Sequence, residues 1–166
     1  MLFESRETGQ VLQKYWTILC ECLSRLVTDK TRNLDAVLGT LATALVHYES
    51  PRHYEEAKTI FSDLLKRNSS NSTALVGLGM ILEEQQEYDQ ALDFLNRALK
   101  INPNDIKILS EASWCHVLMG NHTKGRKGLE NCLQLVTGVD AQSRELRAQL
   151  LWRIGTSIWN ADGKTD

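Results

Sequence analysis

The clearest alternation of apolar and polar positions lies between Ala74 and Pro103. Leu75, Leu78, Gly79 and Leu82 fall at i, i+3, i+4 and i+7, one face of an α-helix. Ala91, Leu92, Leu95, Ala98 and Leu99 give a second helix the same kind of face. The polar stretch from Glu83 to Glu87 predicts the end of the first helix and a turn. Pro103 stops the second, because its ring cannot continue a helix. Glycine inside a helix costs about 0.5–1 kcal/mol relative to alanine and is tolerated where another backbone must approach. Gly79 and Ala91 are therefore the predicted crossing point of the two helices.

The pattern recurs at a fixed period. One period toward the N-terminus, Ala91 becomes Ala57, Tyr88 becomes Tyr54, Leu95 becomes Phe61 and Leu75 becomes Leu41. The Leu-Gly pair becomes Ala44-Leu45 there, a departure at the crossing position, and Pro51 falls in the turn. The opposite shift yields Leu109, Ala112-Ser113, His116, His122, Gly125, Leu129 and Cys132, with Gly120-Asn121 as the turn signal. A fourth set, Leu151, Ile154, Gly155 and Ile158, begins eight residues late, since strict spacing would put Leu151 at 143. That is about two helical turns, so the expected helix is lengthened at its start and runs from about 140 to 160. The expected division is repeats at 38–71, 72–105 and 106–139, then the elongated first helix of a truncated fourth repeat at 140–166. Within 1–37, Val11, Leu12, Tyr15, Trp16, Leu19, Cys22, Leu23 and Leu26 predict an amphipathic helix packing on the stack. A repeat array should end in a polar cap. This one ends on Trp152, Ile154, Ile158 and Trp159, which reads as a fragment of a longer array.

Leu75, Leu78-Gly79, Leu82, Ala91, Leu95, Ala98 and Pro103 resemble the tetratricopeptide repeat (TPR), a helix–turn–helix unit of about 34 residues. The resemblance implies an all-α fold, an α-solenoid of antiparallel helix hairpins in a right-handed superhelix. It implies a non-catalytic protein–protein interaction scaffold with no cofactor. First helices would line a concave groove that receives a helix or extended peptide of another protein, or adjoining repeats. The groove positions in this frame are Ala42, Thr43, Val46 and Glu49; Val76, Gly77, Met80, Glu83 and Glu84; and Lys107, Ser110, Glu111, Trp114 and Val117. The stretch Leu151 to Trp159 is similar to the TPR scaffold-subunit family of the cytoplasmic superkiller (Ski) complex. That similarity implies an RNA helicase and WD-repeat subunits as partners, and a place in messenger-RNA decay with the exosome.

A chaperone co-factor that captures acidic C-terminal peptides is the alternative within the same fold. Its carboxylate clamp resembles a set of Lys, Asn and Arg at places that hold Ala42, Val46, Gly77, Lys107 and Glu111 here. Only Lys107 matches, and Glu111 would repel a terminal carboxylate. The expected ligand is instead apolar with basic flanks, set against Val46, Val76, Met80 and Trp114 and edged by Glu49, Glu83 and Glu84.

Composition narrows the remaining classes. The chain has 166 residues, a net charge of −2 and 24% charged residues, a balance that argues against a dedicated nucleic-acid binder. Lys124, Arg126 and Lys127 form the one small basic cluster singled out as a weak RNA contact, the third reading. No apolar run is long enough to suggest a membrane span, and Met1 to Thr8 has no signal-peptide core. Free thiols are expected at Cys20, Cys22, Cys115 and Cys132. Cys115, His116, His122 and Cys132 lack the paired spacing of a zinc site, so no metal is expected. Gly120 to Lys127 looks like a phosphate loop but lacks the Lys-Ser/Thr that must follow the second glycine. Asn68, Asn71 and Asn121 read as helix caps and loops. No arrangement of nucleophile and base, or of paired carboxylates, suggests catalysis.

Overall fold

The computed structural model describes residues 34–48 and 53–162. The amphipathic segment within 1–37, Glu49 and Pro51 lie outside the described residues. Seven helices and no strand occur among the described residues, so the all-α expectation holds. They are α1 (Leu34–Tyr48), α2 (Tyr54–Arg67), α3 (Ser72–Glu84), α4 (Tyr88–Ile101), α5 (Ile106–Leu118), α6 (His122–Leu135) and α7 (Ala141–Asp162). Helices α2, α4 and α6 start at Tyr54, Tyr88 and His122, and α3 and α5 start at Ser72 and Ile106, so both series advance by the same interval. Helix α7 has 22 residues, against 13 in each of α3 and α5.

The boundaries have local causes. Asn71 caps α3 by accepting the Ala74 amide at 3.0 Å, and Asp105 caps α5 by accepting those of Lys107 and Ile108. Asp140 accepts the Ser143 amide and hydroxyl at the start of α7. Each cap satisfies amides that the first helical turn leaves without partners. The turns inside the second and third hairpins share one geometry. Gln86 (φ 64°) and Gly120 (φ 83°) occupy the same place in successive hairpins, and both take the left-handed conformation. The next amide reaches back to a carbonyl one turn up, Glu87 to Leu82 and Asn121 to His116, each at 2.8 Å. Glycine suits that slot; glutamine adopts it against its steric preference.

Hairpins close at small residues. A Cβ on Gly79 would stand 2.9 Å from Cγ of Leu95 and 3.4 Å from the Ala91 carbonyl. A Cβ on Gly125 would stand 2.7 Å from the Ser113 carbonyl. The apparent phosphate loop is therefore a helix crossing, with Gly120 in the turn and Gly125 buried against α5. The core is a chain of three clusters, centred on Phe61 and Ile81, on Leu95 and Ile108, and on Val117, Leu129 and Leu150. The first two clusters take residues from a hairpin and from the first helix of the next; the third runs from α5 to α7. The stack is thus built from nearest-neighbour contacts. First helices pack on one another, α1 on α3, α3 on α5 and α5 on α7, more closely than the second helices do. Converging first helices put their side on the inside of the curve.

Candidate functional site

The inner face of α3, α5 and α7 carries the densest polar chemistry in the described residues. On α5, Glu111 lies one turn before Cys115, with Ser110 and Trp114 alongside them on the helix. On α7, Arg153 sits between Trp152 and Ile154 and is only 7% exposed. Its guanidinium donates to Glu111 Oε2 at 2.7 Å and to Ser110 Oγ at 2.9 Å. It also lies over the Trp114 ring, 5.4 Å from the centroid, and Trp152 packs against the same ring at 5.7 Å. This geometry seals α5 to α7. The ion pair is short and desolvated, and its guanidinium stacks on an aromatic face, which an ammonium would match poorly.

Glu83, at the end of α3, faces the same cluster. The Cys115 thiol donates to Glu83 Oε2 at 3.5 Å. Burial pushes the Glu83 carboxyl up to about 7; the Glu111 charge adds to that, and Arg153 opposes it. Burial, and then the Glu83 charge, holds the Cys115 thiol far above its ordinary range, so it stays a protonated donor. Two carboxylates thus share the surroundings of one guanidinium. Elsewhere, burial lowers the His116 imidazole, with Lys124 adding to the effect.

The expected groove residues separate into two groups. Ala42 and Val46 lie in the first core cluster. Gly77 is buried where a Cβ would strike the Phe61 ring. Ser110, Val117 and Trp114 are buried, Trp114 to 8% exposure beneath Arg153 and Trp152, and Glu111 is bound to Arg153. Val76, Met80 and Glu83 are half-buried, and Glu84 and Lys107 are exposed. Glu49 is outside the described residues. The open part of the inner face is therefore the α3 surface and the start of α5. In the basic cluster, Lys124 and Lys127 are exposed, while Arg126 is half-buried and 3.9 Å from Glu130.

Arg153 is the seam residue that the periodicity did not single out. A signal exists: with Leu151, Ile154 and Gly155 aligned on Leu75, Leu78 and Gly79, Arg153 takes the slot held by Gly77 on α3 and Glu111 on α5. Opposite charges thus occupy one slot on successive first helices. Beside the end of α7 an open depression of about 510 Å³ is lined by Val117, Leu118, Met119, Gly120, His122, Trp159 and Asn160. Among the described residues no group of three His, Cys, Asp or Glu side chains could hold a metal ion, and no helix is long and apolar enough to cross a membrane.

Hairpins repeating at a constant interval, closed at small side chains and stacked through their first helices, define a tetratricopeptide array. Residues 38–106 match the family model described as tetratricopeptide repeat, and this stretch is an array of that family. It is similar to Superkiller protein 3 of Schizosaccharomyces pombe, with 33% identity over 144 residues, 84% of this chain and 10% of that protein. It is also similar to Superkiller protein 3 of Saccharomyces cerevisiae, with 30% identity over 113 residues, 68% of this chain and 8% of that protein. The chain thus spans about a tenth of the length of these relatives. Among solved structures, the Yersinia enterocolitica type III secretion translocator chaperone SycD superposes with a TM-score of 0.65 at 18% identity, covering 83% of this chain and 92% of that one. At that identity the likeness concerns the fold.

Proposed function

We propose that this chain is a non-catalytic scaffold segment of a cytoplasmic superkiller-type assembly, in which RNA-helicase and WD-repeat subunits would be its partners in messenger-RNA decay. The similarity to two Superkiller 3 proteins over most of the chain supports that setting. The partner helix or extended peptide lies on the inner face of α3. The observation that carries this is the composition of the open surface. Half-buried Val76 and Met80 lie beside Glu83 and exposed Glu84, and the nearby guanidinium of Arg153 is already committed to Glu111. An apolar side chain with a basic neighbour complements that surface, and methionine adapts to the shape it meets. The chaperone reading has less support, because Ala42, Val46 and Gly77 fill the core at clamp positions.

Titration of labelled peptides tests the site. A helical peptide with apolar anchors and basic flanks should bind, and Met80→Asp or Glu84→Lys should weaken it about tenfold or more, the scale of one interface anchor. Micromolar binding of an acidic C-terminal chaperone tail, abolished by Lys107→Ala, would overturn the proposal.

A further inference from the structure

Val76, Met80 and Glu83 fall at i, i+4 and i+7 of α3, so they form one stripe along its inner face. All three are half-buried and reachable from the groove. The stripe ends on an unbalanced set of charges. Two carboxyls, Glu111 and Glu83, stand around Arg153, but its guanidinium donates to Glu111 and Ser110 and lies on Trp114. Glu83 instead accepts from the Cys115 thiol at 3.5 Å, a weak donor. The other charges around it are of the same sign or engaged elsewhere. Glu84 follows it on α3 and is exposed. Lys58 of α2 donates to Glu55 and Gln85, at 3.3 and 2.7 Å. At the start of α4, Glu87 accepts from Gln90, and Asp35 of α1 pairs with Arg67. Glu49 lies outside the described residues.

We infer that Glu83 selects a lysine or arginine of the partner, seated one turn beyond apolar side chains on Val76 and Met80, and that its docking releases a proton from the Glu83 carboxyl. The inference rests on the groove reading above and adds the residue that reads the partner's charge. A second cation balances the second carboxylate. The pair is charge-assisted and partly desolvated, which makes it stronger than one at an open surface. The stripe is about 10 Å long at the rise of an α-helix. A partner helix laid along it carries apolar side chains on two successive turns and its basic residue on the next. The sign of the proton linkage follows from the free chain. Burial pushes the Glu83 carboxyl up to about 7, and a cation beside it favours the ionised form. Binding below that value therefore releases a proton, so affinity rises with pH through the window and levels off above it. Burial keeps the Cys115 thiol protonated throughout.

Isothermal titration calorimetry of the full chain with an end-capped helical peptide tests this. The peptide carries leucines on two successive turns and one lysine on the next. Binding should be roughly tenfold tighter at about pH 8 than at about pH 6. Buffers of different ionisation enthalpy should show net proton release at the lower value. Glu83→Gln, whose amide oxygen can still accept from Cys115, should remove both the pH dependence and the proton release. Norleucine in place of the peptide's lysine should remove them too, and this peptide decides if the variant fails to fold. Equal affinity of the wild-type chain at both pH values overturns the inference, as does an undiminished pH dependence in Glu83→Gln or with the norleucine peptide. Those results leave the groove reading standing. Absence of binding by either peptide at both pH values overturns the groove reading and this inference together.

Discussion

The α3–α4 hairpin and the α5–α7 seam solve the same packing problem in different ways. In the hairpin, shape does the work: Gly79 opens a hollow, Leu95 fills it, and the Ala91 backbone comes close to it. The seam adds charge to its apolar packing. Arg153 ties α7 to Ser110 and Glu111 and lies on Trp114, while Glu83 and Cys115 complete the cluster from α3 and α5. Apolar packing tolerates small changes by rearranging. A buried ion pair does not, because removal of either partner leaves the other charge desolvated. The seam should therefore be the fragile joint of the array and the one that responds to pH.

Arg153→Ala should show the largest effect. It leaves the half-buried Glu111 without its cation and removes the packing on Trp114, at a cost of about 2–4 kcal/mol. Urea melts read by tryptophan fluorescence would measure it, and a loss below about 1 kcal/mol would place the seam among ordinary exposed ion pairs.

Glu83 sets the next effect. Its carboxyl is raised from an ordinary 4.5 to about 7, so between those values the folded chain holds a proton that the unfolded chain has released. By linkage, stability falls as pH rises through this window, on the order of 1–3 kcal/mol from full protonation to full ionisation. Glu111, Glu84, Arg153 and Cys115 are the charged and titratable groups that act on it. Glu83→Gln should flatten the decline between pH 5 and 8 in thermal melts (roughly the window of the shift). An equally steep decline in that variant would assign the titration to another group.

The smallest effect compares the two aligned glycines directly. Gly155→Ala meets open space and should stabilise α7 by about 0.5–1 kcal/mol through helix propensity. Gly79→Ala gains the same propensity but drives a methyl against Leu95 and the Ala91 carbonyl, for a net loss on the order of 1 kcal/mol. Changes of equal sign in chemical denaturation would mean that the two glycines sit in alike surroundings.

Much of this architecture was legible because a repeat states its own register. Apolar spacing located the helices, Gly79 and Ala91 marked a crossing, and Gly120 marked a turn. Gln86 shows the limit of local chemistry: it takes the same left-handed position as Gly120 without being glycine, because the flanking helices and the Glu87–Leu82 hydrogen bond hold it there. The groove was harder to read. A periodic frame names the positions that face inward but not the distance to the next helix, so Trp114 looked like a free anchor while Arg153 and Trp152 cover it.

What the sequence determined by itself was the hairpin, its period and the family to which that period belongs, since these depend on residues three, four and seven apart along one helix and on the turn between two. Tertiary structure alone decided which inner-face side chains remain open. Glu83, Glu111 and Arg153 lie on three different helices and meet only when those helices stack. The raised proton affinity of Glu83 follows from that meeting, because burial and a second carboxylate act through space and leave no mark in the spacing along the chain.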